Sequence, residues 1–216
     1  MPAVRRRRRL LLLALYAALI IGGIYFGHWL MDLVSFEIRP SNEPQVHAML
    51  MAATAAYIVA SAIPFVPGAE IGLALMLLLG PTTVVLVYLS MVFALTFAYM
   101  VGRLLPPPVI ASIFEFFHLE RARNLVLECA PLKIDERLAL MTERAPRRIV
   151  PFLLRHRYLT LALAFNLPGN TLIGGGGGIA LAAGMSGIYS FGAFIAIVML
   201  AVAPVPLLLG LTGIRL

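Results

Sequence analysis

The chain has 216 residues and a formal charge of +7, from 17 Lys+Arg against 10 Asp+Glu. It is 61% hydrophobic and only 12% charged, with a mean hydropathy of +0.95. Soluble domains are about half apolar and about a quarter charged, so composition points to one integral membrane domain, with no second folded unit. Nucleic-acid binding, the other reading of a basic chain, lacks the basic-aromatic interleaving and groove-reading helix it needs. Cys129 stands alone, which excludes an intrachain disulfide and a thiolate metal cage.

Five arginines, Arg5 to Arg9, directly precede the apolar run Leu10 to Leu30. That order is the positive-inside signature, with the N-terminus in the cytoplasm. The run exceeds the roughly 7–15 residues of a signal-peptide core and no A-x-A site follows it. It is therefore expected to be a first transmembrane helix, with Tyr25 and Trp29 as outer interfacial anchors. The polar stretch Asp32 to Gln45 then belongs outside. Val46 to Ile63 is apolar and stopped by Pro64 and Pro67. Ala69 to Leu79 would be about 16 Å long as a helix at about 1.5 Å per residue, too short for a hydrocarbon core of about 30 Å. Thr82 to Leu105 is a full span, closed by Arg103 and the run Pro106-Pro107-Pro108.

Val109 to Arg148 is the one sizeable polar region. Its apolar residues recur at helical spacing (Ile113, Phe116, Phe117; Ile134, Leu138, Met141), as in short amphipathic helices at a membrane surface; an ordinary solvated connector fits as well. Positive charge at Arg155 and Arg157 puts this side with the N-terminus. Gln45 outside and Arg103 inside require an odd number of crossings between them. Val46 to Leu79 as a hairpin entering and leaving on one side, then one crossing helix, meets that requirement. From the other face, Ile149 to Phe165 goes in, Leu172 to Ala183 returns, and Ile188 to Leu211 crosses outward with a kink at Pro204 and Pro206. The expected fold is all-α: an N-terminal transmembrane helix with its outer loop (1–45), a first re-entrant hairpin and helix (46–105), a cytoplasmic connector (106–148), and a second hairpin and helix (149–216). The two hairpins form an inverted repeat whose tips meet at mid-depth.

Each short segment opens on Pro-Gly plus a polar residue: Pro67-Gly68-Ala69-Glu70 and Pro168-Gly169-Asn170. A carboxylate near the bilayer centre costs about 2.5–3.5 kcal/mol, so Glu70 should be protonated, paired or facing water. It is either a proton-exchanging or headgroup-gating acid, or a cap on the free N–H groups of its own half-helix. Asn166 and Asn170 either contact a ligand or satisfy backbone groups freed at the break. Arg103 either snorkels or holds a lipid phosphate. Gly174 to Gly178 lacks the Lys-Ser/Thr ending of a phosphate loop and better fits close approach of a helix or the facing hairpin. Gly184-Met185-Ser186-Gly187 matches the G-x-S-G of rhomboid proteases, but no histidine follows Ser186 to act as base. His28, His47, His118 and His156 have no metal-ligand spacing. No cofactor, metal or enzyme activity is expected.

Ile63-Pro64-Phe65-Val66-Pro67-Gly68-Ala69-Glu70, with Gly80 and a helix ending in Gly102-Arg103, resembles the first half of DedA-type proteins of the VTT (SNARE-associated Golgi protein) superfamily. Phe165-Asn166-Leu167-Pro168-Gly169-Asn170 with Gly184 is similar to the second half, so the likeness covers roughly Val46 to Leu211. It implies a multi-pass protein of the cytoplasmic membrane that moves undecaprenyl phosphate or a phospholipid between leaflets, in relatives often with coupling to protons. Membrane lipids would then be its partners. The chain departs from the family where arginines usually flank the second Pro-Gly: Asn166 and Asn170 stand there. The alternatives are a small-ion or small-solute exchanger, and a non-transporting scaffold with 109–148 as its docking surface.

Overall fold

The computed structural model describes residues 17, 18, 21, 25, 43–79, 83–116, 118, 120–143 and 149–212. Arg5 to Arg9, most of the first expected helix with His28 and Trp29, the outer loop up to residue 42, Gly80-Pro81 and residues 144–148 lie outside them. All regular structure among the described residues is helical, with no strand, so the all-α expectation holds at that level.

Three helices build the first half: α1 (Glu43–Ala62), α2 (Gly68–Leu79) and α3 (Val84–Leu104). α1 stops just ahead of Ile63-Pro64, because a residue before proline is pushed out of the helical region. The break continues through Phe65, whose φ of 68° is left-handed and costly for an aromatic residue. α2 restarts at Gly68, with the Ile71 N–H donating to the Pro67 carbonyl at 3.0 Å. α1 runs parallel to the first half of α3: Ala53 and Thr54 lie beside Thr83 and Leu86, and Ile58 beside Leu89 and Phe93. α2 then returns, packing Leu75 and Met76 into one cluster with Val84 and Val87. The pair is thus a fold-back hairpin laid against half the length of α3.

The polar region forms α4 (Pro107–Phe116), α5 (Glu120–Cys129) and α6 (Ile134–Glu143). The triple proline both ends α3 and starts α4. Pro107 and Pro108 occupy a first turn, where a backbone N–H has no intrahelical partner anyway. The second half departs from the expected elements in one place. Ile149 to Phe165 is not continuous: α7 (Ile149–Arg155) and α8 (Arg157–Asn166) meet at His156, whose ψ of 36° breaks the helical path. The last span carries the kink expected near Pro204 and is two helices, α10 (Phe191–Val202) and α11 (Pro204–Thr212), bent by 42°. The bend sits where Pro204 removes a helical N–H donor. Between α8 and α10 lie a 3₁₀ turn (Asn170–Ile173) and α9 (Gly175–Ser186), so four of the five run glycines form the first turn of a helix.

α3 organises both halves. Its inner face buries Val84, Val87, Ala94, Leu95, Ala98, Tyr99 and Gly102. Its outer face presents Val85, Leu89, Phe93, Phe97 and Leu104, each more than half exposed. Such an unbroken apolar stripe would be unusual on a soluble monomer. α3 is the one described helix long and apolar enough to cross a membrane, and the bent α10–α11 pair would be a second. Two buried clusters share α3: Tyr57, Ile71 and Leu75 with its start, and Leu161, Phe165, Ala183, Phe194 and Val198 with its end.

Candidate functional site

The two helix breaks touch each other. The Phe65 N–H donates to the Gly174 carbonyl at 2.6 Å. A methyl group on Gly175 would strike the Val66 carbonyl oxygen, and one on Gly177 the carbonyls of Ser61 and Ala62. Gly178 lies against Pro64, and Gly176 against the side chain of Leu95. Only glycine lets main chains approach this closely. The glycine run is therefore a contact surface for the first hairpin, not a phosphate cradle. Leu95 is the twelfth of 21 residues in α3, so the junction lies about halfway along a helix of about 31 Å.

Glu70 is in the first turn of α2, beside this junction. It is exposed, and its carboxylate makes no hydrogen bond or ion pair with a described residue. The capping alternative is thus not realised as a hydrogen bond, though the charge still sits at the favourable end of the helix dipole. Behind it, the Tyr57 hydroxyl donates to the Gly68 carbonyl at 3.1 Å, and a methyl group on Gly72 would strike that hydroxyl. Ser61 is 2% exposed. Its hydroxyl is near enough to act on Tyr57 but forms no hydrogen bond of good geometry.

The two asparagines hold main chain. Asn170 is buried and its Nδ2 donates to the Phe165 carbonyl at 2.8 Å, satisfying an orphan acceptor at the end of α8. The Asn166 Nδ2 donates to Ala162 and Ala201, both at 2.9 Å, and so ties α8 to α10. Pro168 is exposed, and Gly169 takes the left-handed φ of 73° the turn requires.

Arg103 is elsewhere. It lies eight residues beyond Leu95, about 12 Å along α3, at the end where the α9–α10 turn passes. There the Tyr189 carbonyl accepts from the Tyr99 hydroxyl at 2.8 Å and from Arg103 Nη1 at 3.1 Å. The Tyr189 hydroxyl donates to the Arg157 carbonyl at 3.3 Å. Arg137 of α6 reaches the same turn: its Nη1 occupies the place a side chain on Gly187 would take. Its Nε and Nη2 meanwhile bind the carbonyls of Leu132 and Ala130 at 3.0 and 3.1 Å. Arginines from three separate segments thus gather on one turn. Ser186 has a local role here, donating to the Ala183 carbonyl at 2.7 Å and accepting from the Ile188 N–H.

The structure thus brings Pro67, Gly68, Glu70, Pro168, Gly169 and Asn170 to the two breaks, leaves Asn166 bridging α8 and α10, and sets Arg103 apart. Sequence reasoning missed Tyr57, Ser61, Tyr99 and Tyr189, which read simply as members of apolar runs. Small residues four positions apart on α9, Gly176, Ala180 and Gly184, were the available signal for its packing on α3. Among the described residues, no group of His, Cys, Asp and Glu could hold a metal. In comparison with known proteins, no family model, curated protein or solved structure matches the chain.

Proposed function

We propose that this chain is a DedA-like, VTT-superfamily protein of the cytoplasmic membrane that moves a phosphate-bearing lipid between leaflets. In this reading the two hairpins are re-entrant, and the arginine-rich end of α3 faces the cytoplasm. The observation that carries the reading is the contact of the two breaks opposite Leu95, at half the length of the apolar α3. Irregular backbone at mid-depth is tolerated only where protein covers it or water reaches it. Here protein covers it from both sides, through the glycines of one hairpin and the carbonyls of the other. Inverted-repeat transporters place their sites at such junctions.

Glu70 supplies the switch. An acid exposed on the molecule at that depth must face water, carry a proton or meet another segment. Loss and gain of its proton at a wet opening would couple headgroup passage to the proton gradient. Glu70→Gln in reconstituted vesicles tests this: the variant should insert and melt as the parent does but lose lipid flipping. Undiminished flipping would remove Glu70 from the mechanism.

A further inference from the structure

A cleft of about 700 Å³ opens beneath the connector helices, between the ends of α3 and α9 and the segment from α5 to α6. It is separate from the junction of the breaks, at the other end of the half-length of α3 running from Leu95 to Arg103. Its size is within the range of about 300–1,000 Å³ typical of ligand sites. Leu105, Ile110, Leu125 and Val126 give it apolar walls. Its charged lining consists of Arg103, Lys133, Arg137 and Asp135, a net charge of +2.

Those cations differ in what they have left to give. Arg137 is committed, since Nε and Nη2 bind carbonyls and Nη1 rests on Gly187. Arg103 uses Nη1 on Tyr99 and Tyr189, which fixes the guanidinium and leaves Nε and Nη2 without hydrogen-bond partners among the described residues. Lys133 bonds through its backbone N–H to Glu136, and its ammonium makes no ion pair among the described residues. Two cations with spare donors therefore flank an apolar trough. The trough also sits where α3 ends, which on the membrane placement proposed above is headgroup depth.

We infer that this cleft is a binding site for an anionic lipid, distinct from the translocation junction. The headgroup would take the free donors of Arg103 and Lys133, and the start of the chain would lie along Leu105, Ile110 and Leu125. A soluble anion would gain the charges but not the apolar walls, which favours the lipid. Held there, the lipid would bridge α3 to the connector and strengthen the docking that Arg137 makes on Gly187.

The test is native mass spectrometry of the full chain in detergent with phosphatidic acid, phosphatidylcholine or inorganic phosphate added, alongside melting temperatures. Phosphatidic acid should bind and raise the melting temperature, while phosphatidylcholine and inorganic phosphate should not. Arg103→Gln with Lys133→Gln should weaken phosphatidic acid binding about tenfold or more, the loss of two charge-assisted bonds. Leu125→Trp, which fills the trough without altering charge, should weaken it too, and Arg121→Gln on the exposed face of α5 should not. If the double variant does not fold, Leu125→Trp alone decides. Equal binding of inorganic phosphate, or parent-like binding by Leu125→Trp, would overturn the inference. Glu70→Gln should bind normally, so a failure of the translocation proposal would show separately.

Discussion

The Phe65 N–H and the Gly174 carbonyl, 109 positions apart in sequence, are joined by a 2.6 Å hydrogen bond. Each belongs to a helix break, and each is in a left-handed conformation, φ 68° at Phe65 and 126° at Gly174. The strain at Phe65 persists because its N–H has this one well-placed acceptor and the glycines beside it admit the approach.

Gly177→Ala should separate the breaks, since its methyl group would meet the carbonyls of Ser61 and Ala62. Backbone cannot yield as a side-chain end can, so a cost of about 1–3 kcal/mol follows, visible as a lower melting temperature in detergent. Gly192→Ala is the control. Nothing lies within 4 Å of its added methyl group, and alanine at a helical position should be neutral or stabilise by up to about 1 kcal/mol.

The α3–α9 contact makes a parallel prediction. A methyl group on Gly102 would strike the Leu181 carbonyl, and one on Gly184 the Tyr99 carbonyl. Either alanine variant should destabilise by about 1–3 kcal/mol. The two together should cost less than the sum, because one enforced separation of the helices relieves both. A thermal double-mutant cycle reads this directly.

Asn170→Ala should destabilise by about 1–3 kcal/mol, because it leaves the Phe165 carbonyl without its side-chain donor in a buried turn. Asn170→Asp should be worse, setting an acceptor against an acceptor. If the chain flips lipid as proposed, neither should change which lipid is flipped by the protein that remains folded; a changed lipid preference would make Asn170 a ligand contact.

Tyr99→Phe should cost about 0.5–1.5 kcal/mol. It removes the bond to the Tyr189 carbonyl but keeps the ring stacked on Phe194, at 4.0 Å between centroids. Tyr99→Ala should cost about 3–5 kcal/mol, since it empties a fully buried site. Denaturant or thermal melts separate the two.

The hairpins were legible because proline and glycine act locally. Pro64 and Pro67 end α1 wherever they stand in the fold, and Ala69 to Leu79 is short on its face. The kink near Pro204 was legible for the same reason. The break at His156 was not, since no proline or glycine marks it and Tyr158, packed edge-on to Tyr189, is a tertiary contact. Nor was the grouping of Arg103, Arg137 and Arg157, which come from three segments and meet only through the α9–α10 turn. The role of Asn170 was open in the sequence because an amide serves a ligand and a carbonyl equally well. The distance to Phe165 shows the bond it makes.

The central claim is that α1 and α2 fold back rather than cross, and cysteine labelling from each side of sealed vesicles tests it most directly. In a Cys129→Ser background, Glu43→Cys ahead of the hairpin and Thr83→Cys behind it should react with an impermeant reagent from the same side. Leu104→Cys should react from the other. Labelling of Glu43→Cys and Thr83→Cys from opposite sides would contradict the account, because residues 43–79 would then traverse the membrane.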